Sequence, residues 1–506
     1  MLPTTQLDLR QDETPPVVQP SATTRGHDPA ARTGLVVGVL ALAGIAVSLM
    51  QTLVIPIVPQ LPVLLGSTPS STAWAITATL LAGAVVTPIA GRLGDMLGKK
   101  PVLLASLVGM VVGSLICAMA DSLVPLVIGR AVQGLAAGVI PLGISLMRDV
   151  LPPRKLGPAV ALMSASLGVG GALGLPAAAL IAEHADWHVL FWVSAGLGAV
   201  VFLLVLLLIP ARGLRVGGRL DAGGALGLSI TLVALLLAVS KGAEWGWSSP
   251  RILGLLMVAL VAGAAWAWWQ LRTAQPLVDL RTTARPQVLI TNLASVVFGF
   301  SMFSMSLVIP QVVQLPTQTG FGLGRSILVA GLVMVPSGLV MMVAAPLSAT
   351  VSRRTSPRVT LMIGALTVAV GYALGVFFMG SVWQLCVVTG VIGAGIGFAY
   401  GSLPQLIMSA VPVSETSAAN GFNTLVRSVG TSVSSAVAGA VLAGSATIVG
   451  TVSVPSQGGF QTILVVGSAA ALVSLLIAAL LPRQVPSTIP PGPSVPAETS
   501  TSTKVG

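Results

Sequence analysis

The sequence predicts an all-α polytopic membrane protein with fourteen transmembrane helices, arranged as two six-helix halves with two further helices inserted between them. Its residues are 54% hydrophobic and only 8% charged, whereas soluble domains carry about 25% charged residues. Fourteen apolar runs are each long enough for a helix that crosses the hydrocarbon, which needs about 20 residues. An internal repeat relates the first six of these runs to the last six.

The apolar runs are bounded by charged residues or by clusters of Pro and Gly. We predict spans at 35–58, 73–91, 101–120, 123–148, 157–181, 188–209, 222–240, 252–270, 287–310, 326–349, 358–379, 383–409, 416–443 and 460–481. The predicted units are an N-terminal half at 35–209, an inserted pair at 222–270 and a C-terminal half at 287–481. Residues 1–34 and 482–506 are polar and rich in Pro, which predicts disordered cytoplasmic tails.

Basic residues predict the orientation, because loops on the cytoplasmic side carry an excess of Lys and Arg. With both termini inside, only Lys241, Arg251 and Arg325 fall outside. Arg130 and Arg427 fall within spans. The predicted location is therefore the cell's inner (cytoplasmic) membrane, crossed many times, with both termini in the cytoplasm. The basic residues are scattered between apolar runs, so nucleic-acid binding is not expected.

The ends of the first and ninth spans carry the internal repeat. Residues 53–62 read LVIPIVPQLP and residues 307–316 read LVIPQVVQLP, so eight of ten positions match. Further along, Gly134 corresponds to Gly393 at a similar offset. Two six-helix repeats indicate a transporter whose halves rock about a central site. Shared membrane composition is the alternative explanation.

A ten-residue segment after the second span, residues 91–100, reads GRLGDMLGKK. Its glycines let two helix ends approach closely, and Asp95 can lie at a neighbouring helix N-terminus or pair with a cation. Breaking and remaking that contact would gate the cytoplasmic side, so Gly91, Arg92 and Asp95 are candidate gating residues. The alternative is an ordinary basic loop that only fixes the topology.

Two arginines are predicted inside the membrane, where a cation is costly unless it is functional or well paired. Arg130 lies deep in the fourth span, one turn before Gly134. Arg427 lies in the thirteenth span, where a neighbouring helix or a cavity must satisfy it. For Arg130 the alternative is a structural role in which it satisfies neighbouring carbonyls. In the fifth span, Gly174 and Pro176 are expected to let the helix bend and pack closely on the opposite half. Generic use of glycine in membrane helices is the alternative there.

These segments resemble motifs of the fourteen-helix drug:proton antiporter branch of the major facilitator superfamily, over nearly the whole membrane region. Residues 91–100 are similar to its loop signature, 126–138 to its fourth-helix signature and 168–176 to its antiporter motif. The resemblance implies the major facilitator fold and a multidrug efflux transporter that works by alternating access, with protons as the coupling ion. We expect a monomer with no enzymatic activity and no cofactor.

The acidic residues depart from the family pattern. Many family members carry an Asp in the first helix, where this chain has Met50. The sequence places no Asp or Glu at mid-membrane, although a buried carboxylate is the usual proton carrier. Proton coupling would then depend on Asp149, or on the acidic and histidine residues of segment 183–188. A hydrated outer loop is the alternative for that segment.

Amide and thioether side chains mark the predicted substrate cavity. The candidates lie in spans one, nine and twelve and are Met50, Gln51, Asn292, Gln311 and Gln405. Amides in an apolar wall orient a ligand without selecting its charge, and flexible methionines suit varied amphiphiles. Gln51 and Gln311 are the strongest candidates because they flank prolines at matching places of the two halves, where both helices are expected to be interrupted. We therefore expect export of small lipophilic compounds, or of an endogenous metabolite or lipid.

Other classes of protein find little support in the sequence. The two cysteines, Cys117 and Cys386, fall inside apolar runs, so neither a disulfide framework nor a metal site is predicted. A membrane-embedded enzyme would need clustered His, Asp, Glu or Cys within the spans, and the sequence has no such cluster. An ATP-binding loop of the form G-x-x-x-x-G-K-S/T does not occur. The energy for transport is therefore expected to come from a gradient.

Overall fold

A computed structural model describes residues 29–57, 60–72, 74–210, 217, 219–449 and 452–482. Within these ranges, fourteen helices are long and apolar enough to cross a membrane, which confirms the predicted fold class. In chain order they are α1 (Pro29–Leu53), α2 (Trp74–Leu97), α3 (Lys99–Ala118), α4 (Leu123–Val150), α5 (Pro153–His184), α6 (His188–Leu208), α7 (Ala222–Trp245), α8 (Pro250–Arg272), α9 (Pro286–Gln314), α10 (Ile327–Arg354), α11 (Pro357–Phe377), α12 (Val382–Ala410), α13 (Thr416–Gly444) and α14 (Gln457–Ala479). Shorter elements are the α-helices Leu61–Leu64, Pro69–Thr72 and Leu280–Thr283, and the antiparallel strands β1 (Ala446–Val449) and β2 (Val452–Pro455). Short 3-10 helices are Ile55–Ile57, Thr317–Thr319, Val413–Glu415 and, within α4, Gly134–Gly138.

Two hydrophobic cores divide most of the long helices into two groups. One core lies among α1 to α6 and contains the buried Leu40 and Leu142. The other lies among α9 to α14 and contains the buried Phe298 and Tyr372. This grouping is consistent with two six-helix halves. The unit boundaries at 35–209, 222–270 and 287–481 remain predictions from the sequence.

The helices α7 and α8 form a pair beside the two groups. α7 contacts α2 and α13, with Leu236 packed in the same apolar cluster as Leu425. α8 leaves most of its apolar side chains exposed, as a helix surrounded by lipid would. At the start of α7, Asp221 accepts hydrogen bonds from Gln270 Nε2 at 2.7 Å and from Trp269 Nε1 at 3.0 Å. These bonds join the two helices of the pair at one end.

Several helix ends differ from the predicted spans. α1 begins at Pro29 rather than at residue 35, and the remainder of the predicted tails, 1–28 and 483–506, lies outside the described residues. α5 has 32 residues, more than the roughly 20 that the hydrocarbon requires. Its extra turns at both ends contain polar and charged residues, so a search for apolar runs misses them.

The repeat-related prolines behave differently in the two halves. α1 ends at Leu53, just before Pro56, whereas Pro310 lies inside α9. The expectation that both helices are interrupted at matching places is therefore wrong for the second half. The sequence of the first half carries a second proline, Pro59, where Val313 stands at the matching position of α9, and two prolines three residues apart disfavour a continuous helix more strongly than one.

The two groups meet along two seams, α5 against α10 and α2 against α13. In the α5–α10 seam, a Cβ built on Gly338 would lie 2.5 Å from Ala172 Cβ, and one built on Gly331 would lie 2.8 Å from Pro176 N. In the α2–α13 seam, a Cβ on Gly421 would lie 3.0 Å from the Thr87 carbonyl oxygen. Small residues therefore permit the close approach of helices from the two groups.

Candidate functional site: a cavity between the two halves

A cavity of about 570 Å³ lies between the two groups of helices. Its lining comes from α1, α2, α4, α5, α7, α9, α10, α12 and α13. The wall is mostly apolar and includes Met302, Met305, Met334, Met341 and Phe303. Pockets for drug-sized ligands typically measure about 300–1,000 Å³, so a compound of that size fits here.

The cavity reaches only one end of the helix bundle. Ile55, Leu80 and Gln314 belong to its lining and lie near helix ends at that side. The other side we call the arginine-rich end; it is the side of the loops that follow α2, α4 and α10. Along α2, the described lining stops at Thr87, almost three turns before the helix ends at Leu97.

Asp95 lies at the arginine-rich end of the α2–α13 seam. Its Oδ2 accepts a hydrogen bond at 3.1 Å from the backbone N–H of Ala418, in the first turn of α13. The positive end of the helix dipole favours a carboxylate at this position. One turn earlier, a Cβ on Gly91 would lie 2.6 Å from the Ser417 carbonyl oxygen. Of the two placements expected for Asp95, beside a helix N-terminus or beside a cation, the structure shows the first. The gating role of Asp95 stays a prediction.

Two arginines lie beside the contact between α2 and α13 at the arginine-rich end. Arg148, at the end of α4, donates to Thr416 Oγ1 and to the Val411 carbonyl at 3.5 Å, and so links α4 to the start of α13. Arg92 is half-buried, and its Nε has no hydrogen-bond partner among the described residues. The sequence predicted a role for Arg92 but none for Arg148, because the partners of Arg148 lie about 265 residues away along the chain.

Gln51 of α1 and Gln311 of α9 both lie in the cavity wall. Met50, in contrast, lies outside it and is buried in the core of α1 to α6. Successive residues of an α-helix point about 100° apart, so Met50 and Gln51 cannot face the same way. The assignment of Met50 to the cavity is therefore wrong.

Two further candidates also lie outside the cavity lining. Asn292 is buried, and its Oδ1 accepts a hydrogen bond at 2.8 Å from Asn423 Nδ2, between α9 and α13. Gln405 donates through Nε2 to the Gly401 carbonyl of its own helix at 2.8 Å. Neither residue belongs to the described cavity lining, although Asn292 Nδ2 has no hydrogen-bond partner among the described residues, so their assignment to the cavity is wrong.

Arg130 is almost completely buried and does not line the cavity. Its Nε donates to the Ala75 carbonyl at 2.7 Å, and an Nη atom donates to Gln133 Oε1 at 2.7 Å and to the Met50 carbonyl at 3.3 Å. The guanidinium therefore links α1, α2 and α4. One turn on, a Cβ on Gly134 would lie 2.6 Å from Ala82 Cβ of α2, so this part of α4 packs tightly within its own group.

Arg427 of α13 is the one charged side chain among the described residues that line the cavity. Its guanidinium carbon lies 4.7 Å from the centroid of the Tyr400 ring, a cation–π contact. An Nη atom lies 3.5 Å from Thr424 Oγ1. The sequence left open whether a helix or a cavity surrounds Arg427, and Tyr400 was missed, although the chain has only two tyrosines.

The profile of the family described as Major Facilitator Superfamily matches residues 40–435, most of the chain. The chain belongs to the major facilitator superfamily. Its cavity between two six-helix groups is where transporters built from repeats bind their substrates.

Curated relatives within the superfamily are bacterial transporters. An "Uncharacterized MFS-type transporter" of Mycobacterium tuberculosis is 30% identical over 84% of this chain, which spans 62% of that relative's length. The "Probable actinorhodin transporter" of Streptomyces coelicolor is 28% identical over 84% of this chain and 75% of its own. "Multidrug resistance protein 3" of Bacillus subtilis is 25% identical over 73% of this chain and 72% of its own.

The fold is also that of a solved superfamily member. The crystal structure of the human organic anion transporter MFSD10 superposes with a TM-score of 0.61, over 88% of this chain and 99% of that one. The sequence identity is 16%, so the likeness concerns the fold alone.

In this major facilitator protein the glycines of α5 pack largely within their own half. A Cβ on Gly174 would lie 1.9 Å from Thr52 Oγ1, and one on Gly170 would lie 2.5 Å from a carbonyl oxygen of α1. The expectation that Gly174 packs on the opposite half is wrong, because the small face of α5 at these two positions turns toward α1. Pro176 does meet the opposite half, at Gly331 of α10.

The acids considered for proton coupling lie away from the cavity of this major facilitator protein. Asp149 pairs with Lys99 at 2.6 Å, with both side chains buried at the arginine-rich end. Asp186 pairs with His188 on the other side, and a hydrogen bond from the His188 backbone N–H is the main cause that lowers the pKa of Asp186. No Asp or Glu belongs to the described lining.

Proposed function

We propose that this chain exports small lipophilic compounds across the cell's inner (cytoplasmic) membrane by alternating access, powered by the proton electrochemical gradient. The observation that carries the proposal is the apolar cavity between two six-helix groups, closed at one end where Asp95 contacts Ala418. A transporter of this kind rocks two halves about a central site and so exposes that site to each side in turn.

The arginine-rich end faces the cytoplasm, because short cytoplasmic loops carry the excess of Lys and Arg. Both termini then lie in the cytoplasm. In this orientation the conformation opens outward, and it corresponds to the state that releases an exported compound. The Asp95 contact with α13 forms in this state and breaks when the cavity opens to the cytoplasm.

The chemistry of the cavity wall supports lipophilic substrates of varied shape. Its methionines and Phe303 make an adaptable apolar surface, and Gln51 and Gln311 offer neutral donors and acceptors. The names of relatives, an actinorhodin transporter and a multidrug resistance protein, support export of such compounds and a role in drug resistance.

Protons are the coupling ion in this proposal, and the chain works as a monomeric antiporter, without a cofactor and not as an enzyme. A cavity with no carboxylate in its described lining has no obvious proton carrier. The electrical part of the gradient is therefore expected to drive export more strongly than the pH part.

Transport in everted membrane vesicles tests the proposal. A panel of fluorescent lipophilic compounds is offered to energised vesicles with and without the chain, before and after an uncoupler collapses the gradient. Vesicles with the chain should accumulate at least one compound, and the uncoupler should abolish that accumulation. Identical accumulation with and without the chain, for every compound, would contradict the proposal.

A further inference from the structure

We infer that Arg427 selects compounds that carry one negative charge, and that the membrane potential drives their export by acting on the charge of the empty cavity. The inference rests on the proposed export function and adds a substrate class to it. That class is a lipophilic monoanion whose charge resides on a carboxylate, sulfonate or phenolate group.

The position of Arg427 is built by its neighbours. Gly299 of α9 leaves space for its stem, since a Cβ there would lie 3.0 Å from Arg427 Cγ and 2.1 Å from the Arg427 carbonyl oxygen. Tyr400 of α12 covers one face of the guanidinium, with 4.7 Å between the guanidinium carbon and the ring centroid. The phenol is itself held, because its hydroxyl lies 3.3 Å from Met302 Sδ. Three helices thus fix one cation in the cavity wall.

The surroundings of Arg427 provide little compensation for its charge. No Asp or Glu belongs to the described lining, and no described carboxylate forms an ion pair with this guanidinium. The hydrogen bond to Thr424 Oγ1 is long, at 3.5 Å. A guanidinium has five N–H donors, and the stack on Tyr400 occupies a face and not the N–H edges. These edges remain suited to an anion.

An anionic ligand matches this arrangement better than a neutral or cationic one. Carboxylate and sulfonate oxygens accept two parallel hydrogen bonds from a guanidinium, and in an apolar cavity such a pair is screened less than in water. The apolar body of the ligand would lie against the methionines of the wall. A permanent cation, in contrast, would meet like charge at Arg427 and find no described counter-charge.

The fixed charge of Arg427 also determines how the membrane potential acts on the cycle. The empty cavity carries one positive charge, and the loaded cavity is neutral when a monoanion pairs with Arg427. In a cell with a negative interior, the return of the empty site to the cytoplasmic side is favoured, while the neutral loaded site crosses without electrical cost. Each cycle moves one negative charge outward, so the electrical part of the proton gradient drives this step without a buried carboxylate.

The potential is large enough to matter for a single charge. A membrane potential of ordinary size supports a concentration ratio on the order of tenfold to a hundredfold for a monovalent ion. Export driven by the membrane potential therefore explains both why the sequence places no acid at mid-membrane and why Arg427 lies in the cavity wall.

Purified chain in proteoliposomes tests the inference with two probes of similar size. Naphthalenesulfonate is permanently ionised, and naphthalenesulfonamide is neutral near neutral pH. Efflux of each probe is measured while valinomycin and a potassium gradient set the potential inside-negative or inside-positive. The variants are Arg427→Gln, which removes the charge, and Arg427→Lys, which keeps it without the planar fork.

Arg272→Gln is the matched control, because Arg272 also covers an aromatic ring, Trp268 at 4.4 Å, but lies on the exposed α8 outside the cavity lining. We expect the parent and this control to release naphthalenesulfonate faster at inside-negative potential. Arg427→Gln should lose at least about tenfold in sulfonate efflux and keep sulfonamide efflux within about twofold. Arg427→Lys should retain the response to the potential at a reduced rate.

The outcomes separate this inference from the export function on which it rests. Equal losses of both probes in Arg427→Gln, or parental sulfonate efflux in that variant, would overturn the inference. Sulfonate efflux by the parent at the same rate under both signs of the potential would overturn the inference as well. Export of the sulfonamide in that case would still support the proposed function. Efflux of neither probe above that of protein-free liposomes would count against both.

Discussion

The two arginines inside the membrane span differ in what surrounds their guanidinium groups. Arg130 donates to carbonyls of α1 and α2 and to Gln133 and is buried away from the cavity. Arg427 lies in the cavity wall over Tyr400. Substituting the first should therefore disturb the packing of one half, whereas substituting the second should change which compounds are exported.

Arg130→Lys should reach the membrane at near-parental levels but transport at least about tenfold more slowly, which equals about 1.4 kcal/mol in a controlling step. Lys keeps the charge but loses the planar fork that links α4 to α1 and α2. Arg130→Met should also insert, yet it leaves buried carbonyls without donors, at about 1–3 kcal/mol each, and should melt at a lower temperature. Transport per molecule and thermal melting of purified protein measure both effects. Transport by Arg130→Lys at the parental rate would show that the planar guanidinium of Arg130 is not required.

Asp95→Asn should reduce turnover far more than the amount of protein in the membrane. The amide can still accept from the Ala418 N–H, but it loses the charge that the α13 dipole favours, about 0.3–1 kcal/mol. This loss weakens only the conformation that is closed at the arginine-rich end. Transport rate per molecule in vesicles measures the effect.

The control for this substitution is Asp279→Asn. Asp279 also accepts a hydrogen bond at a helix N-terminus, from the Arg281 backbone N–H at 2.8 Å, but within a loop and not between the two groups. Asp279→Asn should therefore transport like the parent. Parallel losses of protein and activity in Asp95→Asn would point to a structural role for Asp95 instead of a gating role.

Individual site residues could be predicted only in part from the sequence. Gln51 and Gln311 lie in the cavity, as their neighbouring prolines suggested, but Asn292 and Gln405 do not. An α-helix with apolar residues on all sides gives no period from which its inward face can be read. The tyrosine that covers Arg427 lies 27 positions earlier in the chain, on a different helix, and no local spacing reveals that contact.

At the scale of helices, the α5–α10 seam depends on small residues. Gly338→Val should lower the melting temperature and impair transport, because a Cβ there would lie 2.5 Å from Ala172 Cβ and 3.1 Å from the Gly168 carbonyl oxygen. Overpacking of this kind typically costs about 1–3 kcal/mol. Gly254→Val in α8 is the control, since nothing lies within 4 Å of a Cβ at that position. Equal melting temperatures of the two variants would contradict the close approach of α5 and α10.

The pair α7 and α8 should depend on Asp221 and on pH. Burial alone would raise the pKa of Asp221, but hydrogen bonds from Gly224, Trp269 and Gln270 outweigh it and lower that pKa. A lowered folded-state pKa means that the stabilisation is present above the unfolded value of about 3.9 and is lost as pH falls through the folded-state value.

Asp221→Asn should therefore melt at a lower temperature than the parent near neutral pH, by the roughly 0.5–2 kcal/mol of a lost helix cap. The difference should narrow as pH falls below about 4. Melting of purified protein in detergent over a pH series provides the measurement. A difference between parent and variant that is the same at every pH would show that the ionised carboxylate is not what joins α7 and α8.

The existence of all fourteen helices could be predicted, because each membrane span leaves a long apolar run in the sequence. Their ends could not, since polar turns continue a helix into water, as in α5. The strands β1 and β2 were missed because a short hairpin has no hydropathy signal of its own. Pro310 was misjudged because a single proline does not end a helix when the next residues can continue it.

At the scale of the whole molecule, the central cavity lies between the two six-helix groups, which touch along two seams among the described residues. The arginine-rich end holds the interactions that would have to break for the cavity to open there, namely Asp95 with Ala418 and Arg148 with Thr416. Alternating access therefore requires that α2 and α13 separate at this end during transport. Rigid halves that never separate could not move a compound from one side to the other.

The distance across the arginine-rich end tests this central claim most directly. Leu97 at the end of α2 and Val413 just before α13 are exposed and lie close to the Asp95 contact. Spin labels on cysteines at these two positions, with Cys117 and Cys386 replaced by Ala, report that distance by double electron–electron resonance in lipid nanodiscs. We expect a short distance in the parent and an added longer component in Asp95→Asn and in the presence of a transported compound. A single short distance under all of these conditions would contradict alternating access between the two halves.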